Sequence, residues 1–143
     1  MVFISRSYGI GDHASVYTSR GADDGPAFYD PAGGFKADMS GDLQILFGED
    51  ADIPGYLDYQ LHSDDEVDAY YFATTKAEEE QIINNAMNQP YAAPFQCSTR
   101  TSSALKGVGR FKSITPTAFP GRLASELSKV PGAYLFKYYP THP

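Results

Sequence analysis

QPYAAPFQCSTRTSSALKGVG, residues Gln89–Gly109, holds the only cysteine of a 143-residue chain and presents it at the head of a helix. Pro90 and Pro94 keep the approach extended, Cys97 follows, and the next ten residues read as a helix that stops at Gly107. A thiol at or beside a helix N-terminus meets unpaired backbone N–H groups and the positive end of the helix dipole. Both favour thiolate over thiol, and the same donors can hold an oxyanion. Thr101, Ala104, Leu105 and Val108 recur on the face of Cys97, so the helix packs on one side and delivers the sulfur at its end. A lone cysteine is more often a small buried hydrophobe than a nucleophile. The decision turns on whether the chain brings a base to it.

The base search leads to the N-terminal third. His13–Ser19, HASVYTS, alternates as a half-buried strand does, with His13, Ser15, Tyr17 and Ser19 on one face and Ala14, Val16 and Thr18 on the other. Arg20–Gly25 (RGADDG) reads as a turn, and Pro26–Asp30 (PAFYD) as a second short strand stopped by Pro31 and the Gly33-Gly34 pair. So short a connection predicts an antiparallel hairpin. The start of the first strand then lies beside the end of the second, which makes His13 and Asp30 neighbours at one rim of a sheet. A cysteine hydrolase needs a thiolate, an imidazole to stabilise it and protonate the leaving group, and a polar group to fix the imidazole tautomer. Cys97, His13 and Asp30 supply the three types. Taken singly, His13 reads as a solvated strand end and Asp30 as an Asp-Pro turn starter. His62, among acids in a loop, and His142, in the terminal tail, are the weaker candidates.

Composition limits the alternatives. At this length one domain with a real core is expected, and 42% hydrophobic residues with eleven Tyr, nine Phe and no Trp describe a globular chain rich in strand-pairing side chains. The net charge of −7 gathers in Asp23-Asp24, Glu49–Asp52, Asp64–Asp68 and Glu78–Glu80. That sign opposes nucleic acid and anionic membranes and suits a basic partner protein. A single cysteine excludes an intrachain disulfide, and three scattered His offer no zinc spacing, so neither metal nor cofactor is expected. No apolar run reaches membrane-spanning length, and the N-terminal MVFISRSYGIGD has no export-signal pattern.

Elsewhere Val2–Ile4 reads as a short strand and Val67–Ala73 as a better one. Thr75 opens the clearest helix, with a Thr75/Glu78 capping box and a stripe of Ala77, Ile82, Ile83, Ala86 and Met87. Its Glu78–Glu80 run reads as a solvated first turn. Leu43–Phe47 is a strand or a helical turn, and Gly48–Gly55 an acidic loop. Ile114–Pro120 leads into a short helix with Leu123, Ala124 and Leu127 inward, and Ala133–Tyr139 closes the chain as a strand. Strands, then helices, then a strand make the fold class α+β.

GDHASVYTS followed by YDPAGGF, and later YAAPFQCSTRTSSALKGVG followed by ITPTAFPGRL, resembles the circularly permuted branch of the NlpC/P60 papain-like cysteine hydrolases, over His13 to about Leu127. The nearest flavour is that of the C-terminal toxin domains of bacterial Rhs-type and type VI secreted effectors. The resemblance implies an antiparallel sheet packed on helices, Cys97 as nucleophile, His13 as base and Asp30 as third polar residue. It also implies Tyr91, Gln96 and Ser98 at the oxyanion and substrate site. The sequence departs from the pattern with Gln96 where many relatives have Asn, with Ser98, Thr99 and Arg100 after the cysteine, and with Asp30 in the third position.

Three functional readings follow. The first, implied by the resemblance, is a peptidoglycan amidase or endopeptidase, delivered as a toxin to the periplasm of a target bacterium and held in check by a cognate immunity protein. The second is an acyltransferase or lipase on the same scaffold, for which an exposed apolar surface is expected. The third is a non-enzymatic binding module in which Cys97 is core and the tyrosines at Tyr56–Tyr59, Tyr70-Tyr71 and Tyr138-Tyr139 form a recognition face.

Overall fold

The first hairpin sets the frame. In the computed structural model, which describes residues 1–141, β1 (Val2–Ser7) turns at Tyr8 and Gly9 into the long β2 (Ile10–Ala22), and β2 turns at Asp23-Asp24 into β3 (Gly25–Tyr29). Both turn aspartates have positive φ, as a two-residue hairpin requires and Asp tolerates. The chain continues through α1 (Ala37–Ser40), β4 (Ile45–Phe47), α2 (Ile53–Leu61), β5 (Glu66–Tyr71), α3 (Lys76–Met87), α4 (Cys97–Leu105), α5 (Pro120–Leu127) and β6 (Tyr134–Tyr138). The six strands form one sheet in the order β4-β3-β2-β1-β5-β6, antiparallel at every pairing. The α+β class holds, and His142 lies outside the described residues.

Alternation along the strands divides the core between the two faces of the sheet. Val2, Ile4, Val16 and Tyr29 pack with Ile82 and Ile83 of α3, Leu105 of α4 and Leu123 and Leu127 of α5. On the other face Phe3, Phe28, Val67 and Ala69 pack with Tyr56 of α2. There Phe3, Phe28 and Tyr56 stack with ring centroids 4.6 to 6.0 Å apart, each pair contributing about 1 kcal/mol beyond its buried area.

Four expectations are corrected. The acidic loop placed at Gly48–Gly55 contains the start of α2, capped by Asp52, whose side chain accepts from Gly55 N–H at 3.1 Å, with Pro54 in the first turn. Arg20–Ala22 is strand, so the RGADDG turn shrinks to its two aspartates. The Glu78–Glu80 run is not all solvated. Glu79 is buried and accepts from the N–H groups of Ser19 and Arg20, where β2 falls out of register with β3 and leaves those donors unpaired. Ser19 and Thr74 hydroxyls and the Arg20 guanidinium complete its shell, and despite burial these bonds hold its carboxyl below the usual range. Finally, Ala77 and Met87 are both exposed, so the packed stripe of α3 is Ile82, Ile83 and Ala86 with Glu79. The Thr75/Glu78 capping box is present, at 2.9 and 3.1 Å.

Candidate active site

β3 is shorter than β2, and that difference builds the site. Tyr17 exchanges both backbone bonds with Met1 on the β1 side, so alternate residues Ala14, Val16 and Thr18 turn theirs toward β3. Val16 and Thr18 find partners in Tyr29 and Ala27, but β3 ends at Tyr29 and Ala14 has none there. Helix α4 fills the gap. Thr101 Oγ1 donates to Ala14 C=O at 3.2 Å, and Ala14 N–H is turned to the Cys97 sulfur. The first residue of α4 is thereby pinned against the strand that carries His13.

His13 and Asp30 meet as the hairpin requires, with Nε2 2.5 Å from Oδ1. Their side chains are 12% and 3% exposed, so water screens the contact little. Since Nε2 is held by the carboxylate, Nδ1 is the nitrogen left for the thiol. Burial works to lower the His13 pKa, but the Asp30 charge and hydrogen bond, with the bond to Cys97, outweigh it and raise the pKa to about 10. For Cys97 burial works upward, yet the hydrogen bond and charge of His13 and the N–H groups of Ala14 and Ser98 bring the thiol below its ordinary value. The shifts are opposite in sign and favour a thiolate–imidazolium pair. Cys97 itself is 6% exposed at the mouth of this arrangement.

The structure places the remaining expected residues unequally. Gln96 precedes the helix, and its Oε1 accepts from Ala93 N–H at 2.9 Å, which fixes the amide orientation and leaves Nε2 as the free donor of the amide among the described residues. Ser98 contributes its N–H only, because its hydroxyl is fully buried. Tyr91 is 66% exposed on the approach loop. The N–H groups of the first turn of α4 are donors of the kind an oxyanion requires. His62 caps α2, bonded through Nδ1 to Asp58 C=O, and takes no part in the Cys97 arrangement. Tyr56 and Tyr70 are core residues, which removes them from any recognition face. Among the described residues no group of three or more His, Cys, Asp or Glu converges as metal ligands do.

A cleft of 470 Å³ opens beside His13, lined by Asp12, Gly33, Gly34, Tyr59 and Asp64. A cavity of 560 Å³ at His62 and Tyr138 includes neither Cys97 nor His13, so chemistry and not size marks the site. The Gly33-Gly34 pair, read from sequence only as a strand stop, has a further role. A Cβ on Gly33 would overlap both carboxylate oxygens of Asp30. Gly33→Ala is therefore expected to push Asp30 off His13 and lower the rate as Asp30→Ala does, by about 10² to 10⁴. Steady-state kinetics of the two variants check this, and a Gly33→Ala protein with unchanged kcat/KM refutes it.

No family model, curated protein or solved structure matches the chain.

Proposed function

We propose that the chain is a cysteine hydrolase of the permuted NlpC/P60, papain-like kind that cleaves a peptidoglycan peptide amide. The observation that carries the proposal is the Cys97–His13–Asp30 line, with the thiol lowered, the imidazole raised, and both held where a helix N-terminus meets a sheet rim. The Cys97 thiolate attacks the carbonyl carbon, and the oxyanion forms among the N–H donors of α4. His13 gives its proton to the amine as the C–N bond breaks, leaving a thioester. Water then attacks the thioester, its proton passes to His13, and the carboxylic acid leaves as the thiolate returns. The chain order, with the His strand before the Cys helix, supports the permuted assignment. In this reading the protein is the toxin domain of a secreted antibacterial effector, acts in the periplasm of the target cell, and is neutralised by an immunity protein with basic residues facing the acidic loops.

The lipid acyl reading has its own support. Tyr8, Ile10, Phe95 and Phe119 are between 70% and 93% exposed. Phe95 lies two residues before Cys97, Tyr8 and Ile10 lie on the hairpin leading to His13, and Phe119 abuts the Pro120-Gly121 backbone that touches Gly11. Incubation of the protein with purified sacculi and, separately, with zwitterionic phospholipid vesicles decides between them by mass spectrometry. New stem-peptide fragments carry the amidase reading; lysolipid and free fatty acid transfer the chemistry to lipid. Release of neither by an alkylation-competent protein refutes both substrates.

A further inference from the structure

Arg100 stands one helical turn after the nucleophile, in a position that costs stability and gains nothing visible in return. It lies in the first turn of α4, where the helix dipole disfavours a positive charge. It has no carboxylate partner, and its Nε is buried without an acceptor among the described residues. The other half-buried cations all have partners: Arg6 has Asp68, Lys36 has Asp50, Lys76 has Asp24, and Arg110 takes the carbonyls of Ala73 and Pro131. Among the described residues the guanidinium of Arg100 has one hydrogen bond, a long one of 3.4 Å from Nη2 to Gln96 Oε1.

That bond also shows the direction of the side chain. Helical side chains lean toward the N-terminus and cover the preceding turn, so the guanidinium reaches back over Gln96, the neighbour of Cys97. Residues three apart on a helix are neighbours, with Cβ atoms about 5 to 6 Å apart, so Arg100 shares the first turn of α4 with Cys97, and its charge also reaches Tyr29 at the end of β3. On the His13 side stand the carboxylates of Asp12 and Asp64, which repel an anion. The Gln96 side is left as the place where one is welcome.

We propose that Arg100 is the specificity-determining residue of this site and binds a carboxylate of the substrate adjacent to the scissile acyl group. A planar guanidinium donates two parallel hydrogen bonds to a carboxylate, and Arg100 offers its Nη end for this, since Nη2 is held only by the long bond to Gln96. The bound anion neutralises the unpaired guanidinium, offsets the adverse dipole and places the neighbouring carbonyl over Cys97. The substrate class is thus a peptide with a free carboxylate next to the amide that is cut. The inference rests on Cys97 as the nucleophile and adds the charge that the substrate must carry.

Alkylation of the sole cysteine tests it without a known substrate. Iodoacetate and iodoacetamide react with a thiolate in the same way, forming the C–S bond as iodide leaves, and differ in one negative charge. The ratio of their rate constants therefore reports the electrostatics beside Cys97 independently of its ionisation. Arg100→Gln is expected to lower the iodoacetate-to-iodoacetamide ratio about tenfold or more relative to the unsubstituted protein, the scale of one charge-assisted pair. Arg100→Lys keeps most of the ratio, which separates charge from a structural role of the Gln96 contact. An unchanged ratio in Arg100→Gln overturns the inference while leaving the nucleophile in place. A native Cys97 inert to both reagents overturns the nucleophile, and the inference with it. Should Arg100→Gln not fold, the native ratio is measured against salt: its fall with ionic strength supports the inference and its constancy overturns it.

Discussion

Cys97→Ala is expected to abolish hydrolysis, with a loss on the order of 10⁵ to 10⁶ in rate, because it removes the reacting atom and no other thiol exists in the chain. The fold should survive. Alanine suits the first turn of a helix, and α4 is held through Thr101, Ala104 and Leu105, which remain. The cost is the Ala14 N–H, which loses the sulfur it faces, about 1 kcal/mol in urea unfolding. Product release from the proposed substrate and a denaturation curve measure both effects. Full activity in Cys97→Ala would end the cysteine-hydrolase proposal. Cys97→Ser is the less clean variant, since a hydroxyl beside the same imidazole is far less ionised than a thiol.

His13→Ala should cost at least about 10³ in kcat/KM, because it removes both the partner that stabilises the thiolate and the acid that protonates the leaving amine. The pH dependence makes this specific. In the native protein the ion pair is populated above the lowered Cys97 value and below the His13 value of about 10. The rate should rise through an acid limb below pH 9 and fall again near pH 10. Without His13 the thiol returns toward its ordinary range, the residual rate follows thiolate formation upward, and the alkaline fall disappears. The sign for stability is separate. A His pKa raised above 6.5 contributes stability that is fully present below pH 6.5 and is lost as pH rises through about 10. The lowered Cys97 pKa contributes stability present above its unfolded value and lost as pH falls through its folded one. A His13→Ala enzyme that keeps the native profile would assign the base elsewhere.

The amino-acid sequence by itself determined the local elements with strong internal signals. The Thr75/Glu78 capping box, the Gly107 that follows α4 and the Pro120 start of α5 are legible because cap and φ requirements act over a few residues, whereas the approach to Cys97, expected to be extended, turns at Pro94-Phe95, where Phe95 has positive φ and Gln96 N–H donates to Ala93 C=O at 3.1 Å. The meeting of His13 with Asp30 was legible too, since a short connection between two strands leaves one pairing geometry. Helix α2 was missed because its polar, Gly- and Pro-containing run IPGYLDYQL has little helical stripe, and Tyr56 is its only buried residue. Tertiary structure alone decided the rest. The burial of Glu79 follows from a register slip in β2, the unpaired Ala14 N–H from the end of β3 at Tyr29, and the contact of Gly33 with Asp30 from the path of a loop. Arg100 likewise becomes informative only once every partner it lacks has been placed in space. The first two depend on which backbone groups remain unpaired after the strands have aligned, and the last two on which side chains and loops are then brought together. That is a property of the assembled sheet, which no window along the chain contains.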